Sequence, residues 1–150
     1  MLKSILVTGG CGYIGSHTVL SLLENGYKVY VLDSNITSSS DVIKRLIEII
    51  SKKDKTKINN LRFFKGDIRN LTFLESIFVE AIKKNEKING VIHFAGLKSI
   101  EESFKLPFTY WDNNVTGSIN LLITMKKYNC CTIIFSSSAT IYANIGNKKI

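Results

Sequence analysis

The chain has 150 residues, of which 45% are hydrophobic and 21% are charged, a balance typical of one soluble globular domain. Its net charge of +8 is concentrated between positions 41 and 65, but this basic stretch lacks interleaved aromatic residues over SKKDKTKINN, so we expect no nucleic-acid partner. No apolar run approaches the roughly 20 residues that span a bilayer, and no signal peptide is evident. With three cysteines, an odd number, we expect free thiols and a cytoplasmic protein without a membrane partner.

Strand and helix patterns alternate along the chain. Apolar, β-branched runs predict five strands, at SILVTG, YKVYVLD, LRFFKGD, INGVIHFAG and CTIIFSSS. Helical spacing of apolar residues predicts four helices: Tyr13 to about Asn25, with Ile14, Val19, Leu22 and Leu23 on the apolar face; VIKRLIEII, with Asp41 as N-cap; Asn70 to about Lys84; and Pro107 to about Tyr128, with Val115, Ile119, Leu122 and Ile123 inward. The alternation predicts an α/β fold, a Rossmann-type doubly wound parallel sheet that ends after about five strands.

Three glycines at a fixed spacing separate the first strand from the first helix: Gly9, Gly12 and Gly15. A tight turn, close approach of the backbone to a pyrophosphate and close packing of helix on sheet each disfavour a Cβ at such positions. The helix that follows offers free N–H groups and a positive dipole end to phosphates. The pattern therefore predicts a dinucleotide-binding turn, although its spacing differs from the Gly-x-Gly-x-x-Gly of the commonest dehydrogenases.

Polar and small residues at the other strand ends agree with this prediction. Asp33 ends the second strand, where a carboxylate accepts hydrogen bonds from the adenosine ribose and repels a 2′-phosphate, so NAD is favoured over NADP. Asp67 follows the third strand and could accept from the adenine amino group. Ala95 and Gly96 follow the fourth strand and are small enough for a dinucleotide to lie against the backbone.

Several segments together resemble the N-terminal half of the UDP-glucose 4-epimerases, a family of extended short-chain dehydrogenases/reductases: TGGCGYIGSH, GDIR, HFAGLKSIEES, PFTYWDNNVTGS and FSSSATIY. The resemblance covers essentially the whole chain. The glycine motif is shared widely in the superfamily, whereas HFAGLK followed by ES, and P-x-x-Y-x-x-N, are more particular to the 4-epimerases. The resemblance implies one NAD-binding Rossmann-like domain over residues 1–150, with the C-terminal substrate domain absent from this chain.

The resemblance also implies roles for individual residues. The cofactor contacts that it implies are Tyr13 and Ile14 at the glycine turn, Asp33, Asn35, Asp67 and Ile68 on the adenosine side, and Phe94, Ala95, Gly96, Lys98 and Asn113 on the nicotinamide side. Ser138 is implied as the residue that hydrogen-bonds the 4-hydroxyl of the substrate. Hydroxyls at the end of a buried strand are indeed better explained by a ligand than by packing. His17 and His93 are too isolated for a metal site, and we expect His93 to be a hydrogen-bonded core residue.

The implied reaction is a reversible oxidation at C4 of a UDP-sugar, with hydride passing to NAD and back. Its base belongs to a Tyr-x-x-x-Lys pair, and none of the six tyrosines here has a lysine four residues later. We therefore expect the chain alone to be inactive, with a UDP-sugar as partner only when further sequence completes the site, and a homodimer only for the complete family fold. Tyr142 is a candidate substitute base, although packing explains its position better.

Two alternatives remain open on the sequence. One is a non-catalytic NAD-binding fragment or remnant, because an intact cofactor fingerprint without a base fits that interpretation equally well. The other is a different sugar-nucleotide-modifying member of the superfamily, a dehydratase or decarboxylase, which the HFAGLK segment disfavours.

Overall fold

The structure is a computed structural model that describes residues 3–138. In chain order its elements are β1 (Ser4–Thr8), α1 (Tyr13–Glu24), β2 (Lys28–Asp33), α2 (Asp41–Lys53), a 3₁₀ turn (Lys55–Asn60), β3 (Leu61–Lys65), α3 (Leu71–Lys83), β4 (Ile88–His93), α4 (Ile100–Lys105), α5 (Pro107–Trp111), a π-helical segment (Asp112–Thr116), α6 (Gly117–Lys127) and β5 (Thr132–Phe135). The five predicted strands and the start of α1 at Tyr13 are confirmed. None of the described helices is long and apolar enough to cross a bilayer.

The five strands form one parallel sheet in the order β3-β2-β1-β4-β5. After β3 the chain returns to the other side of β1, so the direction of winding changes between β1 and β4. In an open parallel sheet this switch point opens a crevice at the carboxyl ends of the strands, where ligands bind. The predicted Rossmann-type doubly wound sheet is confirmed.

Helices cover both faces of the sheet because successive residues of a buried strand point to opposite sides. Leu6 on β1 belongs to one core cluster, which includes Leu74 and Ile77 of α3 and Leu121 of α6. Its neighbour Val7 belongs to the other cluster, which includes residues of α1 and α2. Both faces are therefore packed at β1, as its uninterrupted apolar run predicts. The fifth strand was predicted to be buried as well, but it lies at the edge of the sheet and exposes Ile134 and Phe135 by 60% and 58%.

The long helix after Pro107 differs from its prediction. It contains the π-helical segment, and a further helix, α4, precedes it. The predicted inward face is also wrong, because Ile119, Leu122 and Ile123 are 47–49% exposed. The buried residues of α6 are instead Gly117, Leu121, Thr124 and Met125. A Cβ at Gly117 would lie 2.6 Å from the side chain of Ile68. The buried face therefore includes small and polar residues, which a count of apolar positions does not detect.

Two smaller predictions about helices are also corrected. Ser40, and not Asp41, is the N-cap of α2, and Asp41 is the first helical residue. Ile14 is 58% exposed instead of facing the core, because the start of α1 lies at the open edge of the sheet and lines the cavity described next.

Candidate dinucleotide-binding site

A cavity of about 440 Å³ lies at the carboxyl edge of the sheet. Its walls come from the segments that follow four strands and from the π-helical segment: Gly9, Gly12, Tyr13, Ile14 and Gly15; Leu32, Asp33, Ser34, Ile36, Thr37 and Ser38; Gly66, Asp67 and Ile68; Phe94 to Ser99; and Asn113. The cofactor contacts expected from the sequence thus lie around one cavity, with the exception of Asn35. The serine and threonine side chains after β2 were missed, since a polar loop carries no distinctive spacing.

The glycines of the turn differ in what requires them. Gly9 has φ of +70°, and a Cβ there would lie 2.6 Å from the backbone nitrogen of Ala95. A Cβ at Gly15 would lie 2.2 Å from the carbonyl oxygen of Gly9, which prevents close packing of α1 on the turn. At Gly12 the nearest atom would be Gly9 O at 3.3 Å, so the protein itself requires glycine least at this position. Gly10 is not part of the predicted glycine spacing, but it packs against Val31. A Cβ at Gly10 would lie 2.6 Å from the side chain of Val31.

The first turn of α1 has the features of an anion site. Its N-cap is Gly12, which has no side chain to satisfy the first N–H groups of the helix. Gly12, Tyr13, Ile14 and Gly15 all line the cavity. An anionic ligand in the cavity would therefore meet free N–H groups and the positive end of the helix dipole, which suits a pyrophosphate.

Asp33 is 8% exposed and its carboxylate is held in a fixed orientation. Oδ2 accepts from the N–H of Cys11 at 2.9 Å, while Oδ1 accepts from the N–H of Asn35 at 2.9 Å and from the hydroxyl of Ser38 at 2.8 Å. Since a carboxylate offers about four acceptor positions, these three hydrogen bonds leave about one for a ligand. Asn35, at φ of 57°, donates its side-chain amide to Ser38 at 3.1 Å and so shapes the loop without lining the cavity.

Asp67 also lines the cavity, next to the end of β2, and is paired with Arg69. The guanidinium donates to both carboxylate oxygens, at 2.6 to 3.1 Å, and reaches Asp112 of the π-helical segment at 2.9 Å. Hydrogen bonding from Arg69 lowers the pKa of Asp67 below its usual range. The arrangement keeps Asp67 an anion and connects the segment after β3 to the long helix.

The segment from Phe94 to Lys98 forms the opposite wall of the cavity. The ammonium group of Lys98 donates a 2.8 Å hydrogen bond to the carbonyl oxygen of Phe94. The Asn114 side chain accepts from the N–H of Leu97 at 2.8 Å and donates to its carbonyl at 2.9 Å. It also accepts from the amide of Asn113 at 2.9 Å. Asn114 thus holds this wall in place from the π-helical segment, a role that sequence reasoning missed although its asparagine doublet was visible.

His93 is a buried core residue with hydrogen bonds at both ring nitrogens, as predicted. Its Nδ1 lies 2.5 Å from the hydroxyl of Thr8 and its Nε2 lies 3.0 Å from the hydroxyl of Ser118. Burial, with a smaller contribution from the charge of Lys98, lowers the pKa of His93 to about 4. No group of three or more candidate metal ligands occurs among residues 3–138.

The expected substrate contact, Ser138, is the next predicted site residue to be located. Ser138 is not among the residues that line the cavity. The N–H of Ser136 donates to the carbonyl of His93 at 3.1 Å, so the serine run begins beside the end of β4. Tyr142, the candidate substitute base, lies outside the described residues.

The switch point, the glycine turn and the acidic end of β2 define a Rossmann-type nucleotide-binding domain. The GDP-mannose 4,6 dehydratase family matches residues 6–150, and the chain belongs to this family. UDP-glucose 4-epimerase 2 from Arabidopsis thaliana is 46% identical over 142 residues, 95% of this chain. The bifunctional protein GAL10 of Candida maltosa is 49% identical over 140 residues, which are 93% of this chain and 84% of that protein. The resemblance to the N-terminal half of the UDP-glucose 4-epimerases is thereby confirmed.

A solved structure agrees with these relatives. The UDP-glucose 4-epimerase from Stenotrophomonas maltophila, crystallised with bound NAD and formylated UDP-arabinopyranose, aligns with a TM-score of 0.84 and 36% identity. The alignment covers 99% of this chain and 40% of that chain. Similarly, the match to the Arabidopsis relative spans only 38% of its length.

Proposed function

We propose that residues 1–150 are the NAD-binding domain of a UDP-glucose 4-epimerase. The observation that carries the proposal is the cavity itself, in which a glycine turn, an uncapped helix start and the acidic end of β2 surround the switch point of the sheet. The bound NAD in the Stenotrophomonas relative supports the choice of ligand. We infer a cytoplasmic location because all three cysteines are free thiols, as expected in a reducing compartment.

The residues around the cavity fit a dinucleotide. Gly12 and the first N–H groups of α1 would bind the pyrophosphate. Asp33 would accept from one ribose hydroxyl through the position left on its carboxylate, and its charge would exclude the 2′-phosphate of NADP. Asp67 and Ile68 would lie against the adenine.

The nicotinamide half would lie along the wall formed by Phe94 to Lys98, with Asn113 closing it. Ala95 has only a methyl side chain and Gly96 has none, so a dinucleotide could lie close to the backbone of this wall. Lys98 lines the same cavity.

The chemistry of the complete protein follows from this placement. NAD held by these residues would supply a reversible hydride acceptor for the oxidation of a UDP-sugar at C4. Ser138 would hydrogen-bond the 4-hydroxyl, and the base would come from sequence that supplies a Tyr-x-x-x-Lys pair. For the complete protein, a second copy of itself is a further proposed partner, because α4 and α5 expose Phe104, Phe108 and Trp111 by 67–88%.

Calorimetric titration of the purified chain with NAD and with NADP tests the cofactor assignment. We expect NAD to bind and NADP to bind more weakly, because the Asp33 carboxylate would repel the 2′-phosphate. A chain that is folded by circular dichroism and binds neither nucleotide would contradict the proposal.

The activity is tested by adding NAD and UDP-galactose and measuring UDP-glucose. We expect no turnover by this chain alone, and turnover by the complete protein that contains it, with kcat lowered by Ser138→Ala. Turnover by the chain alone would show that a residue within it replaces the missing base. A 4-keto-6-deoxy sugar product from the complete protein would instead favour a dehydratase, the activity for which the matched family is described.

A further inference from the structure

A chain of hydrogen bonds, buried at its start and partly buried further on, connects β1 to the long helix. It starts at Thr8, whose hydroxyl lies 2.5 Å from Nδ1 of His93. Nε2 of His93 lies 3.0 Å from the hydroxyl of Ser118. That hydroxyl lies 2.5 Å from the backbone carbonyl of Asn114 in the π-helical segment.

The direction of every bond in this chain of hydrogen bonds follows from the carbonyl group at which it ends. The carbonyl of Asn114 can only accept, so Ser118 uses its one hydroxyl proton there and must accept from Nε2 of His93. The proton of a neutral imidazole therefore lies on Nε2, and Nδ1 accepts from Thr8. Thr8 in turn accepts from the N–H of Ala95, at 3.4 Å. Each group is satisfied only when His93 is neutral and has this tautomer.

The two ends of this chain of hydrogen bonds flank the same wall of the cavity. Ala95 lies within the wall, and Asn114 binds the backbone of Leu97 with its side chain. Asn113, the preceding residue, lines the cavity from the helix. His93 does not line the cavity, but it joins the strand side of the wall to the helix side.

We propose that His93 is a positioning residue, which holds the segment from Phe94 to Lys98 against Asn113 and so shapes the half of the cavity that receives nicotinamide. The proposal rests on the proposed function, since it requires that the cavity binds NAD. It differs from a core-packing role in one respect. A packing role affects the whole domain, whereas this role affects the nicotinamide half and leaves the adenosine half, built on Gly12 and Asp33, unchanged.

The test compares two ligands that differ only in nicotinamide. NAD and ADP-ribose are titrated calorimetrically into the full chain and into the variants Ser118→Ala, His93→Leu and His93→Gln. Thr124→Val is the matched control: Thr124 is buried on the same helix and bonds the carbonyl of Asn120 at 2.9 Å, but it belongs to no part of this chain of hydrogen bonds. Circular dichroism verifies that each protein is folded.

We expect Ser118→Ala and His93→Leu to reduce the preference for NAD over ADP-ribose by about tenfold, because each leaves a buried polar group without its partner. The affinity for ADP-ribose should change less than about twofold, because Gly12 and Asp33, on which the adenosine half is built, take no part in these hydrogen bonds. His93→Gln retains a side-chain N–H donor and should recover part of the preference, and Thr124→Val should retain all of it. If His93→Leu does not fold, Ser118→Ala still decides the outcome.

Four results would overturn the proposal. Equal losses for both ligands in Ser118→Ala would indicate packing alone, and an unchanged preference would show that the link has no effect on the site. A wild-type chain that binds ADP-ribose as tightly as NAD would show that this wall does not recognise nicotinamide, although the cavity binds the rest of the cofactor. If the wild-type chain binds neither ligand, the proposed function itself fails and this inference fails with it.

Discussion

The backbone N–H of Cys11 donates a 2.9 Å hydrogen bond to Oδ2 of Asp33, which fastens the glycine turn after β1 to the acidic end of β2. Two features that are recognised separately in the sequence are thus one structural unit. The carboxylate that would bind the ribose also fixes the turn that would bind the pyrophosphate.

Replacement of Asp33 should therefore affect both cofactor choice and stability. Asp33→Asn removes the charge and retains one acceptor oxygen, so we expect about tenfold weaker NAD binding and a smaller preference for NAD over NADP. Asp33→Ala also leaves the buried N–H of Cys11 without a partner, at a cost of about 1–3 kcal/mol in the free energy of unfolding. Calorimetric titration and urea unfolding measure the two effects.

The control for this pair is Asp54→Asn. Asp54 accepts from the N–H of Thr56 at 2.9 Å but lies away from the cavity, so its replacement should leave the NAD-to-NADP ratio unchanged. If Asp33→Asn also left the NAD-to-NADP ratio unchanged, Asp33 would have no role in cofactor choice.

Alanine substitutions in the glycine turn should separate folding from binding. At Gly15 a Cβ would lie 2.2 Å from a backbone oxygen, so Gly15→Ala should unfold or severely destabilise the chain. At Gly12 the closest approach is 3.3 Å, so Gly12→Ala should fold and lose NAD affinity, because its methyl group would occupy the place that we propose for the pyrophosphate. Thermal unfolding and NAD titration of both variants check this. Normal NAD binding by Gly12→Ala would mean that the pyrophosphate lies elsewhere.

His93 should make the stability of the chain depend on pH. Burial lowers its pKa in the folded state to about 4, while the unfolded value is about 6.5. Between these values the unfolded state binds more protons, so stability is complete above about pH 6.5 and is lost as the pH falls towards 4. From pH 7.5 to 5.0 the contribution of His93 that is lost is about 2 kcal/mol.

Urea unfolding at both pH values measures this contribution by comparison with His93→Gln, in which it should be absent. The chain has two histidines, and His17, which is exposed, offers the matched control: His17→Gln should retain the wild-type pH dependence. The prediction would be wrong if His93→Gln and the wild type lost stability in parallel.

Cys11 and Cys131 should differ sharply in reactivity. Cys11 is 4% exposed, and burial, followed by the negative charge of Asp33, raises the pKa of its thiol to about 11. Because the thiolate is the reactive form, Cys11 should resist iodoacetamide at pH 8. The exposed Cys131 should react readily. Peptide mapping by mass spectrometry after brief alkylation measures the pattern, and rapid modification of Cys11 in the folded chain would contradict its burial.

Much of the fold follows from local patterns. β1, the glycine turn and α1 were predicted together because an apolar strand, a glycine spacing and a helical repeat each have a local chemical signature. Asp33 and Asp67 were predicted to lie at one site because the carboxyl ends of parallel strands meet at one edge of a sheet. Both line the cavity. The inward face of α6 was predicted wrongly because Gly117 and Thr124, which are not large apolar residues, occupy it.

The sequence by itself determined the order of strands and helices, the glycine turn and the acidic strand ends, because each depends on residues that are neighbours along the chain. Only the tertiary structure decided that Asn114 holds Leu97 and that His93 joins Thr8 to Ser118. These contacts link residues separated by 17 to 85 positions, and they exist only because the sheet and the π-helical segment bring distant polar groups together in a buried space. A buried polar group must find a partner there, but no local pattern specifies which one.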